Sequence, residues 1–148
     1  MKKVISVFVL PLTLISFIGI TKWWYIRVED GPEVIAKGFP LIYSCPGFHT
    51  SLSTQFFVCE FILDLVCYFL AWLVVLFAFR KSAGRLTERR IVPIVLWLLT
   101  LLVYVWPLLT LLNPDNVFYL NRDFKVETRD YGIDLIHTMN NYHYDKKG

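Results

Sequence analysis

The sequence contains none of the short motifs that would identify an enzyme. It has no phosphate-binding glycine loop, no HExxH motif and no nucleophile motif. Its three cysteines form no Cys-x-x-Cys pair, and Cys59 and Cys67 lie within one apolar run, which is typical of small apolar filler. The histidines, His49, His137 and His143, match no metal-ligand spacing. We therefore predict a non-enzymatic protein with no cofactor and no metal site.

Charge is almost missing from three long stretches of the chain. The 148 residues suit one domain, and the charged side chains lie between apolar blocks near 4–20, 56–79 and 91–112. A helix that crosses a bilayer needs roughly 20 apolar residues. The pattern predicts a single all-α membrane domain with three transmembrane helices, at about 4–25, 56–79 and 91–112.

The first block has an alternative interpretation as a signal peptide, because two lysines precede its apolar run. The run is longer than a usual signal-peptide core, and it ends at residues 17–21 without a small-x-small cleavage site. Lys22 and three aromatic residues follow, which is typical of a membrane interface. We therefore expect an uncleaved first span, with a kink at Pro11.

Basic residues are concentrated on one proposed side of the membrane. That side carries seven basic residues and one acid, whereas the other soluble parts together carry eight basic and nine acidic residues. The seven are Lys2, Lys3, Arg80, Lys81, Arg85, Arg89 and Arg90. Cationic loops stay in the cytoplasm, so we expect the N-terminus and the loop 80–90 inside a bacterial inner membrane, with the loop 26–55 and the tail 113–148 outside. Nucleic-acid binding is the competing interpretation of a basic loop. Because this loop lies between two predicted spans, retention of positive charge in the cytoplasm is the better explanation, and we expect no nucleic-acid partner.

The outer loop and the tail contain more apolar side chains than solvated linkers carry. They are Phe39, Leu41, Phe48, Val117, Phe118 and Phe124. We predict that residues 38–48 contact the tail or the bilayer surface. Within the tail, the pattern predicts a β-hairpin that pairs 117–120 with 124–128, followed by a short helix over 133–139.

Two carboxylates interrupt the second apolar block, and intramembrane carboxylates are costly. They begin a series in which residues are separated alternately by four and three positions, which is a heptad pattern. The series is Glu60, Asp64, Cys67, Ala71, Val74 and Ala78. Because small residues mark close helix contacts in membranes, we predict that this face, carboxylates included, points into the helix bundle.

Other polar residues are predicted to lie at the same depth in the membrane as the two carboxylates. A rise of about 1.5 Å per residue places Asp64 and Tyr104 roughly 12 Å from the outer boundary, with Thr13 and Ser16 at a similar level. Glu60 is shallower, within reach of Lys22. The predicted intramembrane cluster is therefore Glu60, Asp64, Tyr104, Thr13, Ser16 and Lys22. Three interpretations stay open: hydrogen bonds that fix helix register, a contact with a cation of a partner subunit, or a proton or cation site.

The sequence Gly38-Phe39-Pro40-Leu41 after the first span, followed by Phe56, Phe57 and Asp64, resembles small uncharacterised bacterial inner-membrane proteins. The resemblance covers the middle third of the chain and implies a membrane location without an assigned activity. We expect an accessory or interaction subunit of a membrane complex, embedded in the lipid bilayer, with a protein partner or a second copy of the chain. The alternative is a small channel, a transport component or a membrane-perturbing toxin.

The charge distribution leads to a test of topology. A phosphatase fused after Gly148 should be active and one fused within 80–90 should be inactive, because the enzyme works only outside the cytoplasm and the basic loop is retained inside. Activity measured on whole cells, corrected for the amount of each fusion, decides this. The reverse pattern would contradict the orientation.

Overall fold

The structure is a computed structural model that describes residues 2–29, 32–48, 53–79 and 91–135. Its N-terminal helix comprises α1 (Lys2–Val4), a π-helical stretch (Ile5–Val9) and α2 (Leu10–Gly19), and the later helices are α3 (Val58–Ala78) and α4 (Ile91–Leu111). The strands are β1 (Ile20–Val28), β2 (Glu33–Lys37), β3 (Ser44–Pro46), β4 (Thr54–Phe57), β5 (Val117–Tyr119) and β6 (Val126–Leu135). The predicted all-α architecture with three spans is wrong, because the six strands form one mixed sheet and, among the residues that the structure describes, only two helices are long and apolar enough to cross a membrane.

The N-terminal helix is shorter than predicted. Its π-helical stretch directly precedes Pro11, whose ring would clash with an α-helical carbonyl four residues back, and the wider turn avoids that clash. The helix ends at Gly19 and the chain passes straight into β1. Residues 20–28 are rich in aromatic and β-branched side chains. They pair with β2 on one side and β6 on the other, so the sheet satisfies the backbone that was expected to continue the helix to residue 25.

The predicted second and third spans are confirmed as helices. Both α3 and α4 have 21 residues, a length of roughly 31 Å at the α-helical rise. The third helix ends close to the predicted residue 112, because α4 continues through Pro107 to Leu111. Asn116 holds the last turn, since its side-chain amide donates to the carbonyls of Thr110 and Leu111 at 2.8 and 3.3 Å.

The N-terminal helix contacts both long helices, and these contacts are more extensive than any between α3 and α4. Phe8, Val9 and Phe17 are buried in these contacts. Most other apolar side chains of α3 and α4 are exposed on the surface of the chain. The N-terminal helix is therefore the element around which the two long helices are arranged.

The sheet combines the outer loop with the tail. Its strand order is β5-β4-β3-β2-β1-β6, with antiparallel neighbours except for the parallel pair β4 and β5. The predicted contact between loop and tail is confirmed, since the rings of Phe48 and Phe124 lie 5.4 Å apart. The predicted tail hairpin is wrong, because β5 and β6 occupy opposite edges of the sheet. The helix predicted over 133–139 is wrong at its start, where β6 continues to Leu135, and the remainder lies outside the described residues.

The chain must cross the sheet between β5 and β6, and residues 120–125, the crossover segment, do this. At one end the Cys59 N–H donates to the Leu120 carbonyl at 3.0 Å, which satisfies a free donor in the first turn of α3. At the other end the Glu29 N–H donates to the Lys125 carbonyl at 3.2 Å. Between them, Phe124 packs on a core formed by Ile26, Ala36, Ile42, Cys45 and Phe57. The crossover segment thus closes the buried face of the sheet.

Gly38 generates a prediction about the loop that follows β2. Its φ is +149°, its N–H donates to the Lys22 carbonyl at 2.9 Å, and its own carbonyl accepts from Trp24 Nε1 at 2.8 Å. A Cβ there would overlap with the carbonyl oxygen of Leu41. Gly38→Ala should therefore destabilise the fold by about 1–3 kcal/mol from backbone strain alone, measured as a lower Tm in detergent. Gly19→Ala is the control, because no atom lies within 4 Å of its added Cβ, and an equal loss in both variants would contradict the argument.

Candidate functional site

Asp64 is the most deeply buried ionisable side chain of α3, with 0% of its surface exposed. Its Oδ1 accepts a hydrogen bond from the Leu41 N–H at 2.9 Å, and the Phe39 peptide N–H also faces the carboxylate. The second oxygen, Oδ2, is buried without a hydrogen bond of normal geometry in the described part of the chain. Asp64 faces inward, as expected, but its partner is the backbone turn at 39–41.

Glu60 lies one helical turn before Asp64, and it also accepts a hydrogen bond from a backbone N–H. Its Oε1 accepts from the Arg122 N–H of the crossover segment at 3.2 Å, and Oε2 is buried without a partner among residues of known placement. Glu60 lies in the first turn of α3, where the positive end of the helix dipole favours a carboxylate. Hydrogen bonds to charged groups contribute roughly 1.5–3 kcal/mol each. The two carboxylates therefore attach two separate segments of the sheet to one end of α3.

The other members of the predicted cluster are distributed over different contacts. Ser16 Oγ accepts from Trp72 Nε1 at 2.9 Å. Thr13 is 3% exposed, and its hydroxyl has no partner within the described ranges. Tyr104 is half-buried on α4, within electrostatic range of Tyr43. Among the described residues, none of these three side chains forms a hydrogen bond with Asp64.

Lys22 lies on β1 and contacts aromatic rings of the sheet. Its Nζ lies 3.6 Å from the ring centre of Trp24 and 3.8 Å from that of Tyr131, which is a double cation–π contact. Lys22 is on β1, whereas Glu60 follows β4, and two strands lie between them. The ammonium group of Lys22 therefore contacts two rings, and no ion pair joins it to Glu60 within the described part of the chain, in contrast to the expected pairing.

The inward face of α3 is also not the predicted heptad face. Cys67, Ala71, Val74 and Ala78 are all exposed, with 66% of Val74 accessible. The face towards the N-terminal helix carries Tyr68 and Trp72 in addition to Asp64, at a spacing of four residues. The prediction that small residues line the internal contact is therefore wrong.

The aromatic side chains explain this rotation of the helix. The Tyr68 hydroxyl donates to the Ile20 carbonyl at the end of the N-terminal helix, and the Trp72 indole donates to Ser16. Large rings with polar tips bury much apolar area and also satisfy polar groups. Sequence reasoning missed Tyr68 and Trp72, although their spacing of four and eight residues from Asp64 places all three on one helical side.

A cluster of rings at the junction of helices and sheet is a second feature that the sequence did not reveal. Phe17, which is 1% exposed, stacks on Tyr43 at 5.1 Å and meets Phe61 and Tyr68 edge-on at 4.9 and 5.6 Å. Burial raises the pKa of Tyr43 to about 12, against the opposing effect of the Thr21 hydroxyl and with a further increase from Asp64. Tyr43 is therefore a neutral phenol at physiological pH and acts as a packing group.

The buried cysteine of the sheet is not an activated nucleophile. Burial raises the pKa of Cys45 to about 12, and nearby Arg122 only partly opposes this. The thiol contacts Gln55 Oε1 at 3.9 Å, and it stays protonated at neutral pH, whereas a reactive cysteine needs a thiolate. Within 2–29, 32–48, 53–79 and 91–135, no group of three His, Cys, Asp or Glu residues could hold a metal ion. His49, His137 and His143 lie outside these ranges.

No protein-family model, curated protein or solved structure matches this chain. The resemblance to small bacterial inner-membrane proteins therefore stays a prediction.

The contact of Asp64 with Leu41 leads to a pair of substitutions with different outcomes. Asp64→Asn keeps a carbonyl oxygen for the Leu41 N–H and should change the free energy of unfolding little. Asp64→Leu leaves that part-buried N–H without its acceptor and should cost about 1–3 kcal/mol. Thermal unfolding in detergent and the amount of protein in membranes measure the difference.

The control for this pair is Val66→Leu, which introduces the same side chain at an exposed position of the same helix, away from the face of Cys67 and Ala71. It should melt as the parent protein does. Equal destabilisation by Asp64→Asn and Asp64→Leu would show that the negative charge, and not the acceptor, is what the fold requires.

Proposed function

We propose that this chain is a non-enzymatic integral membrane protein of a bacterial inner membrane, and that it serves as an accessory or interaction subunit of a membrane complex. Two helices, α3 and α4, are long and apolar enough to cross a bilayer. The residues that connect them, 80–90, carry five basic side chains and one acid, which favours a cytoplasmic loop. In this orientation the sheet lies outside the cytoplasm.

The same orientation accounts for the N-terminus. The end of α2 and the start of α3 both join the sheet, so the Lys2 end of the N-terminal helix lies at the same end of the helices as the last turn of α3 and the first turn of α4. Phe8 and Leu12 line an apolar groove together with Ile91 and Val95 at the start of α4. Lys2 and Lys3 add two positive charges to that side, which supports a cytoplasmic N-terminus.

The observation that carries the proposal is the face that α3 turns away from its own chain. Cys67, Ala71, Val74 and Ala78 are exposed there, on a helix whose aromatic side packs internally. Small side chains let two membrane helices approach closely, and such contacts drive association where no hydrophobic force between helices exists. An outward face of this composition suits a transmembrane helix of another subunit or of a second copy.

The carboxylates favour the structural interpretation of the polar cluster. One oxygen of Asp64 and one of Glu60 accept backbone N–H groups of the same chain. These hydrogen bonds attach the sheet to α3. A carboxylate oxygen that already accepts a backbone N–H is less suited to bind a cation of a partner or to carry protons. This argument favours the interaction subunit over the alternative of a channel, transport component or toxin.

The outward face of α3 gives a test by paired substitutions. Ala71→Leu combined with Ala78→Leu should abolish an assembly larger than the monomer, because two added leucines prevent close helix approach. Light scattering after size-exclusion chromatography in a mild detergent measures the assembly, and thermal melting checks that the monomer remains folded. Leu70→Phe is the control, since it enlarges an exposed side chain on a neighbouring face.

Three outcomes bear on the proposal. A parent protein that is monomeric in native membranes and in detergent would contradict it, and so would equal behaviour of the two variants. If the partner is a second copy, a short bifunctional maleimide should cross-link the exposed Cys67, and Cys67→Ser should remove the product. Loss of membrane potential in expressing cells, abolished by Asp64→Asn while assembly persists, would instead support the channel alternative.

A further inference from the structure

A cavity of about 230 Å³ lies where the crossover segment covers the sheet. It is lined by Phe48, Gln55, Phe57, Tyr119, Asp123 and Phe124. Four of these six side chains are aromatic, and two are polar. The residues come from β4, β5, the segment just after β3 and the crossover segment, so the cavity forms only when loop and tail have joined in one sheet.

The rings form walls in different orientations. Phe124 is inclined by 68° to Phe48 and by 69° to Phe57, at centroid distances of 5.4 and 5.6 Å. Phe57 and Tyr119 are closer to parallel, at 28° and 6.3 Å. The cavity is therefore bordered by aromatic rings that are inclined to one another, and aromatic rings attract quaternary ammonium ions through cation–π interactions.

Asp123 is the one charged side chain among the six that line the cavity, and its negative charge is the sign that a cation needs. Asp123 is exposed, and its carboxylate forms no hydrogen bond or ion pair with any described residue. Gln55, 4% exposed, adds a buried amide. A single carboxylate beside four rings is a poor site for a hard metal ion, which takes six or more oxygen ligands, and it repels an anion.

We propose that this cavity binds a small organic cation with a quaternary ammonium group. The rings attract the cation through their electron-rich faces and exclude water, and Asp123 supplies the counter-charge at the mouth. The inference is independent of the proposed role as an interaction subunit, because the cavity belongs to the sheet and the small-residue face belongs to α3.

Choline is the probe for this site. Isothermal titration calorimetry of the full chain in a maltoside detergent avoids competition from choline-containing detergents. Choline should bind saturably, and its neutral isostere, in which carbon replaces the quaternary nitrogen, should bind at least about tenfold more weakly, a difference of about 1.4 kcal/mol. Saturable binding of both with equal affinity would identify a merely apolar cavity and overturn the proposal.

Two variants test the residues that carry it. Asp123→Asn removes the counter-charge at an exposed position, and Tyr119→Leu removes one ring, and each should weaken choline binding about two- to thirty-fold. Their matched controls are Asp115→Asn and Phe118→Leu, which remove an exposed carboxylate and an exposed β5 ring that do not line the cavity. An equal loss of choline affinity in the variants and their controls would overturn the assignment. It would also be overturned if the parent protein melts cooperatively, and is therefore folded, but does not bind choline.

Arg122 offers a variant with the opposite expected sign. Its guanidinium lies within electrostatic range of Cys45, close to the Gln55 side of the cavity, and a second positive charge there opposes a bound cation. Arg122→Gln keeps the backbone N–H that binds Glu60 and should strengthen choline binding. Weaker binding by this variant would mean that Arg122 itself contacts the ligand, which is incompatible with a cationic ligand.

Discussion

The contact between Asp64 and the Leu41 N–H is the constraint on which the junction of helices and sheet depends. A fully buried carboxylate is costly unless hydrogen-bonded, and here the partner comes from the turn after β2. This contact fixes the turn on α3. With the turn in place, Tyr43 stacks on Phe17 and the chain continues into β3. One polar group thus sets the position of the outer loop relative to both α3 and the N-terminal helix.

Glu60 extends the same principle to the tail. Its bond to the Arg122 N–H, together with the bond from the Cys59 N–H to Leu120, places the crossover segment over the start of α3. Backbone groups at a helix N-terminus and in an irregular segment both need partners, and here they supply each other. The sheet can therefore incorporate strands from two parts of the chain that are separated in sequence by both long helices.

Several features of the site were predictable only in part, for identifiable reasons. The spacing of Glu60 and Asp64 indicated costly side chains that need partners, but a heptad series is equally compatible with an internal and an external small-residue face. The ring and indole groups of Tyr68 and Trp72 decided between them. Lys22 was assigned to Glu60 on depth alone, because a helix was assumed where β1 forms. Pairing with β2 and β6 instead places Lys22 between two rings.

The sequence by itself determined the two long apolar helices, the basic loop between them and the burial of loop and tail against each other. These follow from local composition, because a run of about twenty apolar residues with few charges favours a helix of spanning length. Only the tertiary structure decided that residues 20–28 form a strand, that β5 and β6 lie at opposite edges, and that the carboxylates bind backbone N–H groups. Strand pairing and hydrogen-bond partners are long-range, since each depends on which distant segment satisfies a given backbone group.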